Sequence, residues 1–229
     1  MAQAKSESAR SSGESRPRGR PPVRCDEETK RIVLEAARHA FAVEGYAATS
    51  TEELARHAGI STRTLYRLFP SKAALFEAMC ADRLERLLSA VDLQASDEVD
   101  IETGLRAALL ACADLALDPE VVALQRMVLQ ESAAFPELAL NFYKNGISRT
   151  VRALAGWLRV QVKRKRIAID DAEEVAGMLI GMVASAPQRA AIYGSMPLPS
   201  RQQIERRVRR CAALFLDGCR AARGLAMRF

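Results

Sequence analysis

The stretch TSTEELARHAGISTRTLYRLFPSK, from Thr49 to Lys72, constrains this chain more than any other. It holds two short helical patterns hinged on one glycine. Thr49 or Ser50 caps the first, and each is followed three residues on by a glutamate (Glu52, Glu53), the capping-box spacing. Leu54, Ala55 and Ala58 mark one apolar face, and Gly59 then permits the left-handed conformation that stops a helix and turns the chain sharply. Ile60 supplies an apolar plug under the turn, and Ser61 caps a second helix running to about Leu68. That helix is too short to persist alone, because isolated helices under about 12 residues are marginal in water. Leu65, Leu68 and Phe69 must hold it by packing. Two helices joined by a short glycine turn make a helix-turn-helix, whose second helix enters the DNA major groove.

The residues of the second helix suit that task. Its first turn carries Thr62, Arg63 and Thr64, where a recognition helix reaches base edges. Arg63 is matched to a guanine by two hydrogen bonds, and the threonines to bases or a thymine methyl. Arg67 lies one turn beyond Arg63 and is expected at a base or phosphate; Tyr66 and Lys72 are expected on the phosphate backbone, which sets register without reading sequence. Thr49 and Ser61, at the two helix starts, complete the expected DNA-facing set. Pro70 ends the short helix and Ser71 caps the next.

From Gly45 to Phe76 the chain resembles the DNA-binding signature of the TetR family of bacterial transcriptional regulators. The shared features are Thr49, Ala58-Gly59-Ile60-Ser61, Leu65-Tyr66, Phe69-Pro70-Ser71-Lys72 and Leu75, all in register. Arg63 departs from the glycine that many members carry, which alters the expected base contacts and leaves the scaffold intact. The resemblance implies an all-α protein: a three-helix helix-turn-helix domain followed by a larger helical domain for ligand binding and dimerisation, about nine helices in all. A looser likeness, over Phe135 to Trp157, points to the C-terminal domain of one subgroup.

The rest of the chain fits this plan. Residues 1–24 are rich in Ser, Arg, Pro and Gly and cannot bury enough surface to fold. Within them Arg16, Arg18 and Arg20 stand in an Arg-Gly-Arg-Pro context similar to an AT-hook, which lays arginines in a narrow A·T minor groove; a solvated basic tail is the alternative. Residues 25–73 form the DNA-binding domain and 74–229 the larger domain. A first helix is expected over Glu27 to Glu44, with Ile32, Val33, Ala36, Ala37, Ala40 and Phe41 on its apolar face and Gly45 as its stop. A fourth runs from Lys72 to about Ala90 and leaves the DNA-binding bundle; in the family it transmits ligand occupancy. Later helices are expected near 101–117, 119–133, 136–165, 170–193 and 200–224.

The last two bear on assembly. Small and flexible apolar residues crowd Asp171 to Tyr193, among them Met178 and Met182, while Ile204, Val208, Ala212 and Phe215 recur along the final helix. Paired with a second copy they would form a four-helix interface, as in the family, and a homodimer is what a pseudo-palindromic duplex operator requires. The alternative is that they complete a monomer core. For a small apolar or amphipathic effector the candidate lining is Met127, Phe142, Tyr143, Met178 and Met182, with Trp157 near them and Gln125 and Asn141 as polar partners. Tyr143, Ile147, Leu154 and Leu158 also read as an ordinary buried stripe.

Composition narrows the function classes. A net charge of +6 favours an anionic partner. The two histidines, His39 and His57, supply a metal or triad centre poorly, and no nucleophile motif or phosphate loop is present, so neither catalysis nor a cofactor is expected. The five cysteines lack CxxC spacing and fit a reducing cytoplasm. No signal-peptide core is seen, and the longest uncharged run, Val175 to Gln188, is short for a membrane span. The expected function is a dimeric, sequence-specific regulator, a repressor released from its operator by a small-molecule inducer. Two alternatives stay open: an architectural DNA protein relying on the arginine arm, and a redox-responsive regulator using Cys80 or Cys112.

Overall fold

The computed structural model describes residues 25–93 and 100–219, the side chains of 83–93 and 219 excepted. Among the described residues there are nine helices and no strand. They are α1 (Asp26–Val43), α2 (Thr51–His57), α3 (Thr62–Leu68), α4 (Lys72–Leu93), α5 (Ile101–Ala116) and α6 (Pro119–Glu131). Helix α7 is built from Pro136–Asn141, a π-helical stretch Phe142–Ile147 and Ser148–Lys163. Helix α8 is built from Ala172–Ile180, a π-helical stretch Gly181–Ser185 and Ala186–Ile192, and α9 is Arg201–Cys219.

Local chemistry sets the boundaries. Asp100, Asp118 and Asp171 cap α5, α6 and α8, each accepting two backbone N–H bonds, and Pro119 occupies the first turn of α6, where its missing N–H costs nothing. Gly59 sits at φ 67°, with Ile60 N–H bonded to Ala55 O and Gly59 N–H to Arg56 O, the paired bonds of a Schellman stop. In α8 the π-helical stretch lies just before Pro187, whose ring would collide with the carbonyl four residues back in a regular α-turn.

Two cores result. The first joins α1, α2, α3 and the start of α4 to α6 and the start of α7, through Phe41, Leu54, Leu65, Leu75, Phe76, Met79, Leu124, Met127, Val128 and Leu138. Phe41, Tyr46, Phe76 and Phe135 stack within it at centroid separations of 5.3–6.0 Å. Each fully buried Phe or Leu stabilises by roughly 1.5–3 kcal/mol, and this is what holds the seven-residue α3. The second core joins α5, α7, α8 and α9 through Leu105, Leu109, Leu154, Leu158, Leu179, Val208 and Ala212.

That second core corrects the expected dimer contacts. Ile204, Val208 and Ala212 are buried against the chain's own α5, so these three complete the subunit, while Phe215 packs on the same core half-buried. The spacing of the α9 stripe was legible in the sequence, but which helix filled it was not. On α8 and α9 the large apolar side chains left exposed are Met178, Met182 and Leu214. Helix α8, Ala172–Ile192, is long and apolar enough to cross a membrane by length and composition. Its Ala176, Leu179, Val183 and Ala184 are instead spent on the core, and it carries Glu173, Glu174 and Arg189.

Candidate nucleic-acid interface and effector cavity

Helix α3 presents its first turn outward. Ser61 accepts a bond from Thr64 N–H at 3.1 Å and meets the Thr64 hydroxyl at 2.8 Å, which fixes the N-terminal turn. Leu65 and Phe69 are buried, whereas Arg63 is exposed and has no charge or hydrogen-bond partner among the described residues. Tyr66 is exposed, and its hydroxyl lies 3.1 Å from Thr51 Oγ1, tying α3 to α2. Lys72 reaches Ala47 O at 3.3 Å and lies 4.6 Å from the Tyr46 ring centroid; burial lowers its pKa, and Glu131 opposes that shift.

Two of the expected DNA-facing residues are employed elsewhere. Thr49 is only 3% exposed and donates its hydroxyl to Gly45 O at 2.7 Å, so it ties the turn before α2 instead of offering a donor to phosphate. Ser50 is the residue that caps α2. Arg67 makes a two-point pair with Asp26 at the start of α1, both bonds at 2.7 Å. That pairing holds the Asp26 carboxyl below the usual range. Arg63 and Arg67 therefore share a helix side and differ in availability, which spacing alone does not reveal. Arg16, Arg18 and Arg20 lie outside the described residues.

The turn between α1 and α2 is clamped from the larger domain. Glu131, the last residue of α6, accepts the Tyr46 and Ala47 backbone N–H groups at 2.8 and 2.7 Å. Gly45 adopts φ 93°, and a Cβ built there would lie 2.7 Å from Glu131 Oε1. The glycine therefore serves both the turn and the approach of the carboxylate.

A cavity of about 240 Å³ lies where the two cores meet. Arg38 of α1 and Met79 and Cys80 of α4 form one side; Leu124 and Gln125 of α6, Phe142 and Val151 of α7 and Ile180 of α8 form others. Both π-helical stretches reach it, through Phe142, Gly146 and Ile147 in α7 and Ala184 and Ser185 in α8. A π-turn widens a helix locally, and such bulges recur at functional sites. Thr150 donates its hydroxyl to Gly146 O and Gln188 its side-chain NH₂ to Ala116 O.

Of the expected pocket residues, Phe142 lines this cavity and four do not. Met127 is buried in the first core. Tyr143 and Met178 are each 58% exposed, and Met182 is exposed beside Arg207, which donates to its carbonyl. Trp157 belongs to the second core, and Ile147 lines the cavity while staying 43% exposed, so the stripe read through Tyr143 and Ile147 is buried only from Leu154 onward. The π-stretch is the reason, since it breaks the regular angular spacing the stripe assumes. Sequence reading missed Arg38, Val151 and Glu131, and gave Cys80 a redox role instead of a place in the cavity wall. Arg38 left a trace: with Leu34 and Phe41 it falls on the buried face of α1.

Burial pushes the Cys80 and Cys112 thiols up to about 12. A thiolate is the reactive form, so neither favours the redox alternative.

Family comparisons agree with the geometry. Residues 33–79 match the model of bacterial regulatory proteins of the tetR family, and residues 103–219 match that of the AefR-like transcriptional repressor C-terminal domain. The chain belongs to the TetR family. The two TetR matches cover the helix-turn-helix and nearly all of the described larger domain. A TetR-family transcriptional regulator from Mesorhizobium loti is 25% identical, with a TM-score of 0.75 over 85% of this chain and 98% of that one. The flavonoid-responsive regulator FrrA is 28% identical, with a TM-score of 0.69 over 86% of this chain and 99% of its own. Among curated relatives, the HTH-type transcriptional activator FasR of Mycolicibacterium smegmatis is 35% identical over 105 residues, covering 44% of this chain and 48% of FasR. The nucleoid occlusion factor SlmA of Vibrio vulnificus is 35% identical over 78 residues, covering 34% of this chain and 40% of SlmA. The matches thus span less than half the length of these curated relatives. The described chain thus carries the DNA-binding helix-turn-helix domain and the C-terminal domain of TetR-family transcriptional regulators.

Proposed function

We propose that the protein is a dimeric repressor that binds a pseudo-palindromic operator and leaves it when a small apolar or amphipathic effector occupies the cavity. The observation that carries this reading is the shared wall of the cavity. Helix α1 of the DNA-binding module and α4, which leads out of it, line the cavity together with α6, α7 and α8, so an occupant touches both cores at once. Helix α6 then links the wall to the recognition unit, since Leu124 and Gln125 face the cavity and Glu131 at its end holds the α1–α2 turn. An effector that favours a state with misplaced recognition helices shifts the equilibrium by its difference in affinity for the two states. A near-complete switch takes roughly 5.5 kcal/mol of such difference.

Arg63, Thr62 and Thr64 read bases, and Tyr66, Lys72 and Ser61 set register on phosphates. Arg16, Arg18 and Arg20 add minor-groove or phosphate contacts, and the regulator works in the cytoplasm. Repression is the sign supported by the match to a repressor C-terminal domain; FasR, a shorter match, is an activator. FrrA's description as flavonoid-responsive supports control by a small organic molecule.

The test is selection of duplexes from a random pool by the purified protein, followed by anisotropy titration at fixed salt. A selected palindrome bound about a thousandfold or more above random DNA supports the reading. Equal binding of both would reduce the protein to a nonspecific DNA binder and sink it.

A further inference from the structure

Arg38, in the cavity wall, carries one buried polar group for which the fold supplies no partner. Arg38 is 5% exposed and lines the cavity from α1. Its two terminal nitrogens are charge-paired, one with Glu35 and the other with Asp82 at 3.1 Å. Its Nε–H is buried and has no hydrogen-bond partner. A buried donor without an acceptor is costly, and native proteins rarely leave one. Gln125 lines the same cavity, and its amide has no hydrogen-bond partner among the described residues.

We propose that the cavity recognises a compact, uncharged, mostly apolar effector through one oxygen acceptor (a ketone, phenol or ether) that receives the Arg38 Nε–H as a turn of the side chain brings that donor to the cavity surface. This rests on the ligand-controlled reading above and specifies its ligand class. The charge argument selects the neutral acceptor. Both terminal nitrogens of Arg38 already face carboxylates, so what remains is a directional donor and not an uncompensated cation. A carboxylate ligand would bring another anion to a guanidinium that two carboxylates already flank, and would lose its own hydration to do so. The remaining wall is apolar, from Met79, Leu124, Phe142, Val151 and Ile180. Its volume of about 240 Å³ exceeds the ~150 Å³ of an engineered cavity that takes benzene, so one or two fused rings fit. A second oxygen on the effector would meet the Gln125 amide. Recognition and coupling meet in one residue, since Arg38 joins α1 to Asp82 of α4.

Three probes on one skeleton test this with the full-length protein by titration calorimetry: tetralin, 1-tetralone and tetralin-1-carboxylate. The uncharged ketone is expected to bind about tenfold to a hundredfold more tightly than either of the others. Arg38→Lys keeps a cation for Glu35 and Asp82 and removes the Nε donor, so it should erase the ketone's advantage and leave tetralin unchanged. Val151→Phe fills the cavity and should weaken all three. The ranking on the unmodified protein stands even if Arg38→Lys fails to fold. Equal binding of ketone and hydrocarbon, tightest binding of the carboxylate, an advantage that survives Arg38→Lys, or no binding by any probe each overturns the proposal. Release of the selected duplex is measured separately by anisotropy. An Arg38-dependent preference without DNA release would retain the ligand class and refute ligand control; release by a Val151→Phe-sensitive ligand with no acceptor preference would do the reverse.

Discussion

Two arginines one helical turn apart illustrate how little residue type says about role. Arg63 is exposed and unpartnered among the described residues, and Arg67 is held by Asp26. Arg63→Ala is expected to relax preference at one base pair per half-site by about 1–3 kcal/mol. Anisotropy titrations over single-base variants of the selected duplex check this, and a uniform loss over all sequences would assign Arg63 to phosphate. Asp26→Ala releases Arg67 and is expected to steepen the fall of log K with log salt by about one counterion per subunit. An unchanged slope would show that Arg67 reaches phosphate with Asp26 still attached.

Among the elements, α6 has the most consequential position. It caps on Asp118, lines the cavity with Leu124 and Gln125, and ends on Glu131, whose carboxylate takes both N–H groups of the α1–α2 turn. Glu131→Gln preserves the shape but offers one carbonyl and one NH₂ where two acceptors are needed. It is expected to cost about 1–3 kcal/mol of stability, read from the urea midpoint, with operator affinity falling as the turn loosens. A variant of native stability and native affinity would remove the clamp from the coupling route. The two π-stretches act at the same scale. Each interrupts a long helix where its residues face the cavity, so the cavity follows from irregularity in α7 and α8 that helical periodicity does not encode.

For the whole molecule, packing leaves Met178, Met182 and Leu214 as apolar side chains on the surface of α8 and α9. Met182→Asp paired with Met178→Asp is expected to shift the protein from dimer to monomer in analytical ultracentrifugation, and to reduce operator affinity with it. A dimer unaffected by both changes would place the interface elsewhere. Alkaline stability is a second molecular property. Cys80 and Cys112 have folded pKa values pushed up to about 12 by burial, against about 8.5 when unfolded. Above about pH 8.5 the unfolded chain loses these protons and the folded chain keeps them, so the unfolded state binds fewer protons and stability falls. The stabilisation is complete below about pH 8.5 and declines toward pH 12 by up to ~1.4 kcal/mol per pH unit for each thiol. Replacing both with serine should flatten urea midpoints measured across that window.

The helix-turn-helix was legible because its signals are local. The Ser50 and Ser61 caps, Gly59 at positive φ and the apolar faces of α2 and α3 each act within a few residues, and α3 stands where its caps and its proline placed it. The number of helices and most of their limits were legible for the same reason. What each side chain does was decided by partners distant in sequence. Arg67 meets Asp26 across 41 residues, Glu131 meets Tyr46 across 85, and Arg38 meets Asp82 across 44. Met127 went to the first core and the α9 stripe to the subunit interior because other helices filled those faces. Local hydrogen bonding and periodicity determine which helices form; burial and pairing between helices exist only once they are packed, so only the tertiary structure assigns Arg38 to the cavity wall and leaves Arg63 exposed.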